Sequence, residues 1–148
     1  MFLRAVLAFL ALPGVVAGLV PLLLLRWQPP ASKGWPVGWG VGVLGLVILF
    51  ACVRTFYVAG KGTLAPWSPP KHLVTSGLYR YSRNPMYIGV LLILAGWALV
   101  TGAAVLGYYA LVVAVAFHLR VLLYEEPVLA RLFGAAWKTY NSAVRRWF

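Results

Sequence analysis

From Met86 to Leu119 the chain runs for 34 residues without a Lys, Arg, Asp or Glu. One bilayer crossing takes about 20 apolar residues. The stretch is therefore too long for one helix and suits two short ones joined tightly, with Thr101-Gly102 as the turn. Ala5–Leu25 supplies another run of spanning length, and Gly38–Val53 with its flanks a further one. With 63% hydrophobic and 10% charged residues, the composition excludes an ordinary soluble domain. The expectation is an all-α integral membrane protein with a single membrane domain over residues 1–148. Four transmembrane helices are expected, two in residues 1–58. Residues 59–148 then supply a loop, a tight hairpin of the third and fourth helices, and a C-terminal amphipathic helix.

The net charge is +11, from 13 Lys and Arg against Glu125 and Glu126. An anionic partner such as nucleic acid is one reading, but positive-inside bias explains the charge better, so no nucleic acid is expected. With the N-terminus inside, Arg4, Arg54, Lys61, Lys71, Arg80, Arg83, Arg120, Arg131, Lys138, Arg145 and Arg146 fall on or near the cytoplasmic side. Arg26 and Lys33 fall outside. This distribution predicts both termini in the cytoplasm, four crossings, and residence in the cytoplasmic (inner) membrane. The first apolar run exceeds a typical signal core of 7–15 residues, so it is read as the first transmembrane helix. Cys52 is the sole cysteine, which excludes an internal disulfide or cysteine-based metal site; no metal is expected. The oligomeric state is left open.

The first helix is expected near Phe2–Leu25, with kinks at Pro13 and Pro21. Trp27, Trp35 and Trp39 flank the polar turn that follows, as interface anchors do. The second helix is expected near Val37–Val58, and its Gly38-x-x-x-Gly42 spacing suits close packing within the chain. Ala59–Asn84 is the one long loop, and loops of that length are usually functional or disordered. Trp67, Leu73, Tyr79 and Tyr81 argue for order. Asn84-Pro85 reads as N-cap and first residue of the third helix. That helix is about 16 residues long, or roughly 24 Å at 1.5 Å per residue. The fourth is expected near Ala103–Tyr124. Pro127 disfavours helix at the residue before it, which predicts a break at Glu125–Glu126. Beyond it, Val128, Leu129, Leu132, Phe133, Ala136, Trp137 and Tyr140 recur at helical spacing. They predict an amphipathic helix on the membrane surface or over the loop.

Several residue types able to do chemistry converge on one face of this layout. Two adjacent acids at a helix C-terminus oppose the helix dipole and call for partners. Those partners are Arg80 or Arg83, a cap on the next helix, or a cationic or hydroxyl-rich ligand. His118, Leu122 and Glu125 share one stripe of an ideal helix, which places His118 about two turns above Glu125 and facing the bundle. It is a candidate base there, or a hydrogen-bonded structural group. Arg120 lies off that stripe, free to snorkel or to reach a substrate anion. Arg80 and Arg83 suit a carboxylate or phosphate, and the N-terminus of the third helix suits the same groups. Tyr79, Tyr81 and Tyr87 suit stacking or hydrogen bonding. There is no P-loop, GxGxxG, paired His–Glu zinc pattern or GxSxG.

Taken in order, the motifs form a known pattern. They are Gly62-Thr63, Pro66, Pro69-Pro70, Leu73-Val74, Gly77-x-Tyr79-Arg80-Tyr81-x-Arg83-Asn84-Pro85-Met86-Tyr87-x-Gly89, Tyr124-Glu125-Glu126-Pro127-x-Leu129, Phe133-Gly134, Tyr140 and Val144-x-Arg146. Over residues 60–148 they resemble the isoprenylcysteine carboxyl methyltransferase family, which is related to the phospholipid methyltransferases. The first two helices match only as hydrophobic spans. The resemblance implies an integral-membrane methyltransferase that uses S-adenosylmethionine in a pocket near the cytosolic face. It implicates Leu73, Gly77, Tyr79, Arg83, Asn84, Pro85, Tyr87, Glu125 and Glu126 in binding that cofactor. Where the family often has His, this chain has Asn84, which is neither acid nor base. The acceptor is expected to be lipophilic and to arrive from the bilayer among membrane lipids. It is an isoprenylcysteine-type carboxylate or a phospholipid amine, with Arg120 or Arg146 near its head. An amine acceptor has to lose a proton, and Glu125 and His118 are the candidate bases. Competing readings are an NADPH-dependent membrane reductase resembling the steroid 5α-reductases, and a non-catalytic lipid-binding protein.

Overall fold

The computed structural model describes residues 10–30, 32–60 and 72–148. Arg4, Lys61, Gly62, Thr63, Pro66, Trp67, Pro69, Pro70, Lys71 and the start of the first helix lie outside those residues. Among the described residues the regular elements are helical, with no strand. Helix α1 is a π-helical stretch Leu10–Leu19 that runs into the α-helix Val20–Trp27. Helix α2 is Val37–Gly60, and a 3-10 turn covers Gly77–Arg80. Helix α3 is Pro85–Thr101 and α4 is Ala104–Arg120. A π-turn, Val121–Glu125, joins α4 to α5, Glu126–Ala143.

Val37–Thr55 and the continuous helical run from Ala104 are long and apolar enough to cross a membrane. Pro13–Trp27 and Pro85–Thr101 are apolar but shorter. Val43, Leu46, Val47 and Phe50 on α2, with Leu111, Val112, Val115 and Leu119 on α4, point outward. The interior is the meeting of four helices through Ala17, Leu49, Val90, Leu94, Val113 and Phe117.

Helices α2 and α3 touch backbone to backbone. A Cβ on Gly96 would lie 2.7 Å from Gly42 Cα, and one on Gly45 would lie 2.6 Å from Gly89 O. The glycine spacing in α2 thus serves packing within the chain, as expected from small-residue interfaces in apolar surroundings.

The prolines of α1 explain two polar contacts across the core. Pro21 has no N–H, so Ala17 O, four residues earlier, loses its α-helical donor. Trp97 Nε1 donates to it instead, at 2.9 Å. Val16 O would accept from residue 21 in the wider π register and accepts from Tyr109 OH at 2.9 Å. Neighbouring helices re-satisfy the carbonyls that proline frees.

The break expected at Glu125–Glu126 is not there. Both residues are helical, at φ −69°, ψ −48° and φ −62°, ψ −45°. The chain widens one turn earlier, where Glu126 N–H donates to Val121 O. Pro127 cannot donate to the carbonyl four residues before it and crowds that carbonyl; a wider turn relieves the clash without ending the helix. The real bend comes at Gly134, at φ 48° and ψ −115°, a left-handed φ that favours glycine. This divides the apolar stripe of α5. Trp137 and Tyr140, beyond the bend, are buried, whereas Leu132, before it, is exposed. The last turns of α5 therefore lie over the loop, where the Tyr140 hydroxyl donates to Tyr79 O at 2.6 Å.

The two ends of the bundle differ. At one, Ser32 Oγ donates to Gly102 O at 2.8 Å and Trp35 N to Leu99 O at 2.7 Å. At the other, the residues before α3 meet the π-turn, α5 and the last residues of the chain.

Candidate functional site

The site forms where the start of α3 faces the π-turn. Tyr87, in the first turn of α3, packs on Phe117 with ring centroids 4.3 Å apart. Its hydroxyl donates to Glu125 Oε1. The same oxygen accepts Arg120 Nε at 2.9 Å. On an ideal α-helix, residues five apart point about 140° away from each other. The π-turn, with its i to i+5 bonding, brings Arg120 and Glu125 together. Arg120 also lies over the Tyr124 ring, 5.5 Å from its centroid.

Glu126 holds a second cluster. Arg83 Nη1 lies 3.1 Å from its Oε1, and Arg146 binds it through both oxygens, Nε at 2.7 Å and Nη2 at 2.9 Å. The Arg83 and Glu126 side chains are only 9% and 16% exposed. Arg83 also donates to Asn141 Oδ1 and lies over the Trp137 ring, 5.6 Å from its centroid. Its Nε is buried with no hydrogen-bond partner among the described residues.

Asn84 stands at the N-cap position of α3, but its side chain does not cap. Its Nδ2 donates to Arg146 O at 3.0 Å, while its own N–H donates to Ser82 Oγ at 3.2 Å. Tertiary pairing outcompetes the local cap here, and the first turn of α3 is left without a side-chain acceptor. Pro85, the first residue of this turn, is buried.

The remaining expected residues lie to either side. Gly77 has φ 61°, and a Cβ there would come 2.8 Å from Thr55 Oγ1 on α2. Leu73 is half-buried. Tyr79 packs with Cys52 and Val74, and burial raises its phenol pKa well above the usual range. Arg80 and Tyr81 are exposed. His118 does not face the bundle: it is exposed, and Phe117 takes the inward position. The added residue of the π-turn rotates Glu125 off the His118 stripe. His118 instead stacks on Trp147, whose Nε1 donates to His118 Nδ1 at 3.3 Å.

Arg83, Asn84, Pro85 and Tyr87 are thus gathered with Glu125, Glu126 and Arg120. Sequence reasoning missed Ser82, Trp137 and Asn141, and expected Arg146 near the acceptor's head rather than on Glu126. The Val144-x-Arg146 spacing was the signal for the last of these.

A family model described as phospholipid methyltransferase matches residues 37–136. The match takes in all of α2, farther toward the N-terminus than the motif resemblance reaches, and stops short of Tyr140 and Arg146. No curated protein and no solved structure matches the chain significantly. With a match over more than half its length and apolar helices of spanning length, the chain is a membrane protein that belongs to the phospholipid methyltransferase family.

Proposed function

We propose that the chain transfers a methyl group from S-adenosylmethionine to a lipophilic acceptor at the cytosolic membrane face. Family membership supports methyl transfer in general. The observation that carries the donor is the Arg83–Glu126–Arg146 cluster at the uncapped start of α3, beside the Tyr87–Glu125–Arg120 group.

The residues fit this cofactor chemically. Its carboxylate needs cationic or N–H donors. Arg83 offers a buried Nε without a partner among the described residues, and the first turn of α3 offers N–H groups without a side-chain cap. Its ammonium and ribose hydroxyls need acceptors, which Glu125 and Glu126 provide. The Tyr87 ring, which is half-buried, suits adenine. Bound there, S-adenosylmethionine would supply an electrophilic methyl group on its sulfonium sulfur.

The chain's own part is orientation and exclusion of water, which can supply much of a rate enhancement. Tyr87 and Arg120 hold Glu125 from two sides, and Arg83 and Arg146 hold Glu126. A carboxylate acceptor attacks without a base. An ammonium-bearing lipid must first lose a proton, and Glu125 takes it in this reading. His118, the other base expected from the sequence, is turned toward Trp147 instead.

Calorimetry on the protein in detergent or lipid tests this, with Glu126→Gln alongside and NADPH as control. Saturable S-adenosylmethionine binding that weakens in the variant is the expected result. No binding to folded protein overturns the donor, NADPH binding points to a reductase, and neither ligand points to a non-catalytic lipid-binding protein.

A further inference from the structure

Of residues 144–148, only Arg146 has entered the proposed reaction, as one of two guanidiniums on Glu126. Helix α5 ends at Ala143, and Val144 turns extended, at φ −121° and ψ 131°. The next three residues are tied to three elements. Arg83 N donates to Arg145 O at 3.0 Å. Ser82 Oγ and Asn84 Nδ2 donate to Arg146 O, at 3.3 and 3.0 Å. The Arg146 guanidinium closes on both oxygens of Glu126, and Trp147 stacks on His118 with 6.1 Å between ring centroids.

We propose that this segment is a strap that completes the site. Arg146 is a positioning residue for Glu126, and the His118–Trp147 contact is the latch. This inference rests on the methyl-donor reading above. Arg83 contacts Glu126 through Nη1 and shares that nitrogen with Asn141, so alone it leaves the carboxylate free to rotate. A bidentate guanidinium adds the missing geometric constraint, and Arg146 provides it. The Ser82 and Asn84 side chains and the Arg83 N–H, donating to the backbone carbonyls of Arg146 and Arg145, put Arg146 in place, and the Trp147 indole against His118 of α4 anchors the far side. In this arrangement His118 Nδ1 accepts the Trp147 N–H. The imidazole is thereby committed to the strap.

A nitroxide on Phe148→Cys reads the strap without any ligand, because Phe148 is 83% exposed and Cys52 is 0% exposed. The label should tumble slowly on the otherwise unaltered chain. It should speed up several-fold in Arg146→Gln and in Trp147→Ala, and less in Trp147→Phe, which keeps the stack and loses the N–H. In parallel, Arg146→Gln should weaken S-adenosylmethionine binding and turnover, by up to about 100-fold for a misplaced group. Arg146→Lys, with charge but no bidentate fork, should recover part of the loss. Equal label mobility across these proteins, or unchanged donor binding in Arg146→Gln, overturns the proposal. If the unaltered protein binds no S-adenosylmethionine, the donor reading fails and label mobility alone decides the strap.

Discussion

Glu126 lies between two guanidiniums and Glu125 between a guanidinium and a phenol, but the two carboxylates are not equally buried. The Arg83 and Glu126 side chains are 9% and 16% exposed; Arg120 and Glu125 are 35% and 27%. Removing one partner of a buried pair leaves an uncompensated charge and costs about 3–5 kcal/mol. An exposed pair contributes up to about 1 kcal/mol. With Arg146 still paired to Glu126, Arg83→Gln should cost less than the buried-pair figure, about 1.5–3 kcal/mol in equilibrium unfolding, as for a lost hydrogen bond to a charged group, and Arg120→Gln about 1 kcal/mol or less. Tyr79 gives the pH dependence. Its phenol stays protonated in the fold above the ordinary tyrosine value of about 10. Its contribution is complete below that value and is lost as pH rises above it. Stability should hold from pH 7 to 9 and fall beyond about 10, with a shallower fall in Tyr79→Phe. The need of both acids for partners was legible in the sequence. Which arginine serves which acid was not, because Arg146 is 20 residues from Glu126 along the chain.

Among the elements, the α2–α3 contact and the π-turn set the site. Gly96→Ala places a Cβ against the Gly42 backbone, which cannot move aside as a flexible side chain can. It should cost about 1–3 kcal/mol through overpacking. Gly107→Ala on α4 meets nothing within 4 Å and should be neutral or slightly stabilising in the same unfolding experiment. Pro127→Ala restores an N–H that favours a regular α-turn, which would carry Glu125 away from Arg120 and Tyr87. Methyl transfer should drop about tenfold or more while helical content by circular dichroism stays constant. A proline inside an apolar pattern announces a disturbance, but whether the helix ends, kinks or widens depends on the partners of the freed carbonyls. The expected break at Glu125–Glu126 is instead a π-turn, in which Glu126 N–H pairs with Val121 O and the helix runs on past Pro127.

At the scale of the molecule, the loop around Ser32 and the Gly102 turn meet at one end, and the candidate site occupies the other. A four-span arrangement with the site in the cytosol predicts opposite labelling. In sealed vesicles of known orientation, an impermeant maleimide should reach Ser32→Cys from the outer side and Ser76→Cys from the inner side. Reaction of both from one side would overturn that topology. The sequence by itself determined the helical class, the α3–α4 hairpin and its turn, and the family pattern. Apolar run length, glycine spacing and ordered motifs are local along the chain and survive without coordinates. The tertiary structure alone decided that Asn84 forgoes its cap for Arg146, that His118 turns outward to Trp147, and that α5 bends at Gly134. Each of those outcomes is a competition between a local preference and a partner distant in sequence, and the partner's position exists only once the helices have packed.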